Sequence, residues 1–127
     1  MRRKLIKIIA IGCVLTMMMG TAVMAYGYNF YLVAGRSQLA GLVYKTSIGN
    51  AYVDRTGPAG TTTVVTVNMC NGEGYLKSSV SNIVGIGHAY LIYTSGTTAG
   101  DYVALNVTND VSQNGGKSIS ASGSFTP

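Results

Sequence analysis

The chain has 127 residues and a formal net charge of +5, and 10% of its residues are charged. Four of its nine basic residues lie within positions 2–7, so residues 26–127 retain five basic and four acidic residues, a balance of +1. This near-neutral remainder has no basic cluster to neutralise phosphates, which argues against nucleic acid as a partner.

The first 25 residues have the pattern of a secretory signal peptide. Basic residues at positions 2–7 precede an apolar run from Ile8 to Met19, and small residues lead from there to Ala25. The apolar run of about 12 residues is shorter than the roughly 20 that a membrane-spanning helix needs. Cleavage after Ala25 leaves residues 26–127, which we expect to form one secreted, extracellular domain with no transmembrane segment.

Two alternatives concern the route of export. The stretch "RRKLIK" resembles a twin-arginine export motif, and "AIGC" resembles a lipobox that would place a lipid on Cys13. Ordinary cleavage is favoured because the run behind the arginines is strongly apolar, and because Ala10 stands where a lipobox usually has leucine. Cleavage removes Cys13, so Cys70 is the only cysteine left and an internal disulfide is excluded.

Alternation of polar and apolar residues predicts about seven short strands in the mature chain. In chain order they are "YGYNFYLVA", "NAYVDR", "TTTVVTVNMC", "YLKSSV", "HAYLIYTS", "DYVALNVTN" and "SISASGSF". Val65, Val67 and Met69 share one face of the third strand, and serines alternate with apolar residues in the last. The short "GTTAG" between the fifth and sixth strands predicts a hairpin. The segment "RSQLAGLVYKTSIGN" reads as strand or loop.

These strands and the turn-rich segments between them predict an all-β fold. We expect a single small antiparallel β-sandwich of about seven strands, with an open barrel as the alternative. The 102 residues that follow the signal peptide, 127 less 25, suffice for one domain that buries roughly two-thirds of its unfolded surface. The predicted domains are therefore residues 1–25, the signal peptide, and residues 26–127, the sandwich.

The mature chain offers few groups for catalysis or metal binding. Cys70 and His88 are its only cysteine and histidine, and no "HExxH" or "CxxC" motif occurs. Cys70 follows an apolar strand, where a buried free thiol is the common role; an intermolecular disulfide, a reactive surface thiol and a nucleophile are the alternatives. We expect no metal, no cofactor and no enzymatic activity.

Tyrosine is the abundant aromatic residue, with nine copies against two phenylalanines and no tryptophan. Six tyrosines lie near the new N-terminus or on the predicted hairpin, and these are the candidate binding residues: Tyr26, Tyr28, Tyr31, Tyr90, Tyr93 and Tyr102. In one interpretation they cap a small β core with their hydroxyls in water. In the other they form an exposed rim that binds a cell-surface protein, a glycan or a lipid headgroup.

The run from Gly85 to Pro127 contains "GIGHAY", "YVALNV", "TND" and "SISASGSF" in that order. It resembles a group of small secreted proteins of Gram-positive bacteria that have no assigned activity and are similar to lactococcin-type bacteriocins. The resemblance covers 43 of the 102 mature residues, and the chain departs from the group in lacking tryptophans near its C-terminus. It implies a bacteriocin-like protein that acts at cell surfaces.

We therefore expect a secreted, non-enzymatic protein that binds or antagonises cell surfaces. The alternative is a self-assembling extracellular matrix or surface structural subunit, in which an edge strand such as Ser118 to Phe125 pairs between copies. A third hypothesis, an enzyme that uses Cys70 and His88, draws on the few catalytic groups present.

Overall fold

The computed structural model describes residues 24–45, 49–94, 97 and 99–127. The predicted signal peptide lies outside these ranges except for its last two residues, and so do Cys13 and the paired arginines. The described residues form nine strands and one short helix: β1 (Tyr26–Leu32), β2 (Ser37–Leu39), β3 (Val43–Tyr44), β4 (Ala51–Gly57), β5 (Val64–Cys70), β6 (Ser81–Val84), β7 (Gly87–Leu91), β8 (Tyr102–Thr108), α1 (Val111–Asn114) and β9 (Ile119–Thr126).

The strands form two antiparallel sheets. The first sheet has the order β1-β9-β4-β7, and the second has the order β2-β8-β5-β6, with β3 also paired to β8. Both sheets bury one face in a common apolar core. The predicted all-β class and small antiparallel sandwich are confirmed. Within the described ranges, no helix is long and apolar enough to cross a membrane.

Burial follows the predicted period of two along the main strands. Val65, Val67 and Met69 of β5 are each 0% exposed, although Asn68 and Cys70 beside them are buried as well, and β9 buries Ile119, Ala121 and Phe125 on one face. Strands with one dry face are what a one-sided antiparallel sheet requires. The intervening residues of the first sheet point away from the core, and they form its outward face.

The predicted hairpin between "HAYLIYTS" and "DYVALNVTN" is wrong. Strand β7 pairs with β4 in the first sheet, and β8 pairs with β5 in the second. Leu91 of β7 and Val103 of β8 therefore enter the common core from different sheets. The stretch "YLKSSV" forms only isolated bridges, at Leu76 and Ser78, whereas "RSQLAGLVYKTSIGN" contains β2 and β3.

The expectation that Ser118 to Phe125 forms an edge strand is also wrong. Strand β9 lies inside its sheet, paired with β1 on one side and with β4 on the other. The edges of that sheet are β1 and β7. The pattern of alternating serines identifies a strand with one wet face, which interior and edge strands of an antiparallel sheet share.

Two basic side chains are internal. Arg55 is 0% exposed, and its guanidinium donates to the Thr63 carbonyl at 2.6 Å and to the Ser120 carbonyl at 2.8 Å. Lys45 is 0% exposed, and its ammonium donates to the Gly49 carbonyl at 2.8 Å. Burial lowers the pKa of both groups. Since two of the five basic residues within 26–127 are internal, the surface of this part of the chain is more acidic than its +1 balance suggests.

Candidate functional site

Three aromatic rings touch one another on the outward face of the first sheet, and we call them the ring cluster: Tyr52 of β4 with His88 and Tyr90 of β7. The centroid of the Tyr52 ring lies 5.0 Å from that of Tyr90 and 5.4 Å from that of His88. The His88 and Tyr90 centroids are 5.9 Å apart. Tyr90 is 65% exposed, so the cluster presents aromatic surface to solvent.

The register of β4 and β7 explains why these rings meet. Tyr52 lies directly opposite Tyr90, and the residues that flank each of them along the strand, such as Val53 and Ala89, are buried in the core. Side chains directly opposite on one face of an antiparallel pair are close enough to interact. The ring cluster therefore follows from alternation combined with this particular strand pairing.

Polar groups border the ring cluster along the same face. Asp54 lies opposite His88 on one side and Ser124 on the other, and Tyr52 lies opposite Thr126. Partial burial, with a smaller effect of the Asp54 carboxylate, raises the pKa of Tyr52, so its hydroxyl is neutral at physiological pH. The border thus supplies a carboxylate that accepts hydrogen bonds and hydroxyls that donate or accept them.

The structure separates the six tyrosines that the sequence analysis selected. Tyr31, Tyr90 and Tyr102 are exposed, at 69%, 65% and 63%. Tyr31 and Tyr90 lie on the two opposite edge strands of the first sheet, whereas Tyr102 lies on the second sheet beside Tyr44, at 5.3 Å between ring centroids. Tyr26 is half-buried against Phe125. These residues do not make one continuous rim.

Tyr28 and Tyr93 belong to the interior. Tyr28 is 6% exposed because it alternates with exposed residues on the same inward face as Phe30, and its hydroxyl donates to the Asp54 carbonyl at 2.9 Å. The half-buried Tyr93 ring lies 4.3 Å below the Lys45 ammonium. Among the described residues, the Tyr93 hydroxyl has no hydrogen-bond partner. The interpretation of an exposed rim therefore does not hold for Tyr28, and the half-buried Tyr93 fits it only in part.

Alkaline pH should unfold the protein through these interior phenols. Burial raises the pKa of Tyr28 to about 12, and burial also raises that of Tyr93. A raised pKa adds stability below the ordinary value of 10.0, and this stability is lost as the pH rises toward the folded-state value. We expect Tyr28 and Tyr93 to ionise late, above the ordinary pKa of 10.0, in a tyrosinate absorbance titration. Tyr28→Phe should remove one late group; an unchanged late phase would contradict the assignment.

Cys70 and His88 are not brought together. Cys70 ends β5 in the second sheet, is 1% exposed, and directs its thiol to the Ala104 carbonyl at 3.5 Å. Burial raises the pKa of the thiol, which disfavours the reactive thiolate. His88 lies on the outward face of the first sheet. The geometry accordingly leaves Cys70 a buried free thiol without the histidine as its partner.

A groove of about 300 Å³ lies at one end of β8 and is separate from the ring cluster. Its lining residues are Asn71, Lys77, Thr97, Asp101, Tyr102 and Val103. It therefore includes one of the tyrosines that the sequence analysis selected. Within the described ranges, no group of three or more His, Cys, Asp or Glu side chains is placed to hold a metal ion.

The sequence analysis did not select Tyr52, although the predicted strand "NAYVDR" places it on the face opposite to Ala51 and Val53. The missing information was the pairing of β4 with β7, which alone puts Tyr52 against Tyr90 and His88. A tyrosine on a predicted strand has no neighbour until the partner strand is known.

No family model matches the chain, and no curated protein matches it. Among solved structures, the chain is similar to the crystal structure of PirA, with 11% sequence identity over 84% of this chain and 96% of that chain. The TM-score of this superposition is 0.47. A likeness this distant shows neither a common activity nor a common partner.

Proposed function

We propose that the chain is a secreted, non-enzymatic protein that binds the surface of other cells, in the manner of a bacteriocin. The observation that supports this proposal is the ring cluster, three contacting rings that are open to solvent on a rigid sheet. Tyrosine provides a large contact area at a low cost in conformational entropy, and it is enriched among the residues that dominate binding energy. The exposed aromatic face thus provides a surface of the kind that a binding protein requires.

A non-enzymatic role fits the placement of the reactive groups. The Cys70 side chain is 1% exposed, and burial raises the pKa of its thiol. His88 packs edge-on against Tyr90 and stacks on Tyr52. A nucleophile needs a base within hydrogen-bonding reach. The two residues lie on different sheets, so a Cys-His mechanism has no support.

The alternative proposal is a self-assembling subunit, and the strand proposed to pair between copies, β9, is not available for this pairing. Because β9 lies inside its sheet, pairing between copies would have to use an edge strand such as β6, whose Val84 is 69% exposed. A rise in particle size with concentration would support assembly. A monomer at all concentrations, together with saturable binding to cells, would favour the surface-binding proposal.

Binding to cells should depend on the ring cluster. Fluorescently labelled residues 26–127 should bind saturably to some members of a panel of Gram-positive strains. The double change Tyr52→Ala/Tyr90→Ala should weaken that binding by about tenfold or more, since anchor residues each contribute upwards of about 1 kcal/mol. Flow cytometry gives the affinity, and a growth assay on the same strains reports antagonism.

Tyr75→Ala is the matched control for this experiment. Tyr75 has the same exposed fraction as Tyr90, 65%, but it lies in the turn-rich segment that follows β5 of the second sheet. Its replacement should leave cell binding unchanged. Equal binding by the wild-type protein and the double variant would disprove a role for the ring cluster.

A further inference from the structure

The three rings of the ring cluster pack closely against one another. Their centroids, 5.0 to 5.9 Å apart, fall in the range of rings in direct contact. A quaternary ammonium ligand is held by rings that surround it, which requires a gap between them. Here the rings contact each other, so only their solvent side is free. The ring planes are inclined, by 59° between Tyr52 and Tyr90 and by 81° between His88 and Tyr90, so a ligand meets each ring separately.

The charged residues on the outward face of the first sheet favour a neutral ligand. On the outward positions of β1, β4, β7 and β9, Asp54 is the only acidic residue, and no lysine or arginine occurs there; Arg55 points into the core. A phosphate-bearing polymer or an anionic lipid headgroup would meet a carboxylate and no compensating cation. A neutral ligand that donates hydrogen bonds meets a carboxylate that accepts them.

The rest of the face supplies hydroxyl groups in line with the rings. Ser124 lies beside Asp54 in the register, Ser122 lies beside Asn29, and Thr126 lies beside Tyr52. From β7 through β4 and β9 to β1 the face spans three strand spacings, about 14 Å. That span exceeds one sugar ring. It offers the ring cluster at one edge, polar groups beside it, and the exposed ring of Tyr31 at the opposite edge.

We infer that this face binds a neutral polysaccharide of the cell surface, with sugar units packed against the Tyr52 and Tyr90 rings and sugar hydroxyls bonded to Asp54 and Ser124. The inference rests on the proposed function and adds its ligand class. The apolar faces of sugar C–H groups suit the aromatic rings, and the equatorial hydroxyls suit the polar border. The match uses the exposed rings, the charge and the hydroxyl groups of one surface.

The direct test uses titration calorimetry of residues 26–127 with soluble uncharged β-glucan, mannan and galactan, and with anionic teichoic acid and phosphatidylglycerol vesicles as comparison ligands. We expect saturable binding to at least one neutral polysaccharide. Tyr52→Ala/Tyr90→Ala should weaken it about tenfold or more, and Asp54→Asn about fivefold. Tyr52→Phe/Tyr90→Phe retains the stacking surface and should keep most of the affinity. Binding to the anionic ligands alone, or to none of the five, would overturn the inference.

A second experiment distinguishes failure of this inference from failure of the proposed function. Periodate oxidation of the target cells cleaves sugar diols and should abolish binding by the wild-type protein. Cell binding that depends on Tyr52 and Tyr90 but survives periodate would retain the surface-binding role and assign it to a protein or lipid partner. Absence of any cell binding would remove the proposed function itself.

Discussion

Replacing Gly123 by alanine should destabilise the protein by about 3 kcal/mol or more. A Cβ at this position would overlap the carbonyl oxygen of Asp54 and lie 3.1 Å from the Arg55 Cα. Overpacking typically costs about 1–3 kcal/mol when side chains can adjust. Here the obstacle is the backbone of β4, which β7 and β9 hold from both sides, so relief requires separating paired strands. Small domains have total stabilities of about 5–15 kcal/mol, so this loss is a large fraction.

Gly27→Ala is the matched control. Gly27 lies in β1, next to β9, and a Cβ there would have the Gly123 carbonyl oxygen at 3.9 Å as its nearest contact. Alanine in a strand is less costly than glycine by roughly 0.5–1 kcal/mol, so this change should leave stability equal or slightly higher. Urea unfolding of the two variants gives the comparison. Equal unfolding midpoints would show that β4 and β9 are less closely fitted than the structure indicates.

The same change bears on the proposed binding face. Gly123 allows the close approach of β9 to β4 beside the irregularity in pairing between Arg55 and Gly57. Strand β4 carries Tyr52 and Asp54, the stacking group and the carboxylate of the ring cluster and its border. A displaced β4 would move both relative to Ser124. If the Gly123→Ala protein still folds, its folded fraction should therefore bind cells more weakly than the wild-type protein does.

The alternation of residue types predicted the strands and their buried faces because burial acts on each strand separately. The face of β5 that contains Val65 and Val67 could be identified without knowing what it packs against. Strand pairing could not be identified in this way. The false hairpin arose because a short glycine-flanked connection is compatible both with pairing inside one sheet and with crossing to the other.

The candidate site was harder to predict than the fold for the same reason. Tyr90 was selected from the sequence, but its partner Tyr52 became evident only with the β4–β7 register. Conversely, Tyr28 was selected for its place in a tyrosine-rich segment and proved to be internal. The burial of Arg55 had no sequence signal, since its acceptors at Thr63 and Ser120 are distant carbonyls.

Asn109 forms a buried polar junction at the end of the sandwich. Its side-chain amide is 0% exposed and donates to the carbonyls of Leu32 at 3.0 Å and Lys117 at 2.8 Å. Its carbonyl oxygen accepts from the Asn114 amide at 2.9 Å, and Asn114 in turn exchanges two hydrogen bonds with the Val64 backbone. One side chain thus connects the ends of β1 and β8, the start of β9 and, through α1, the start of β5.

Asn109→Ala should lower the free energy of unfolding by about 3 kcal/mol. Three hydrogen bonds are lost, and the carbonyls of Leu32 and Lys117 are left without this donor, the first in a buried and the second in a partly buried position. Asn109→Asp keeps the shape of the side chain but removes both of its N–H donors, so it should destabilise the protein at least as much as Asn109→Ala. The comparison separates the effect of the lost hydrogen bonds from that of the lost side-chain volume. Asn82→Ala removes one exposed bond, from the Thr66 hydroxyl, and should cost below about 1 kcal/mol. If urea midpoints placed Asn109→Ala beside Asn82→Ala, the junction would contribute no more than a surface contact, and packing alone would hold this end of the sandwich together.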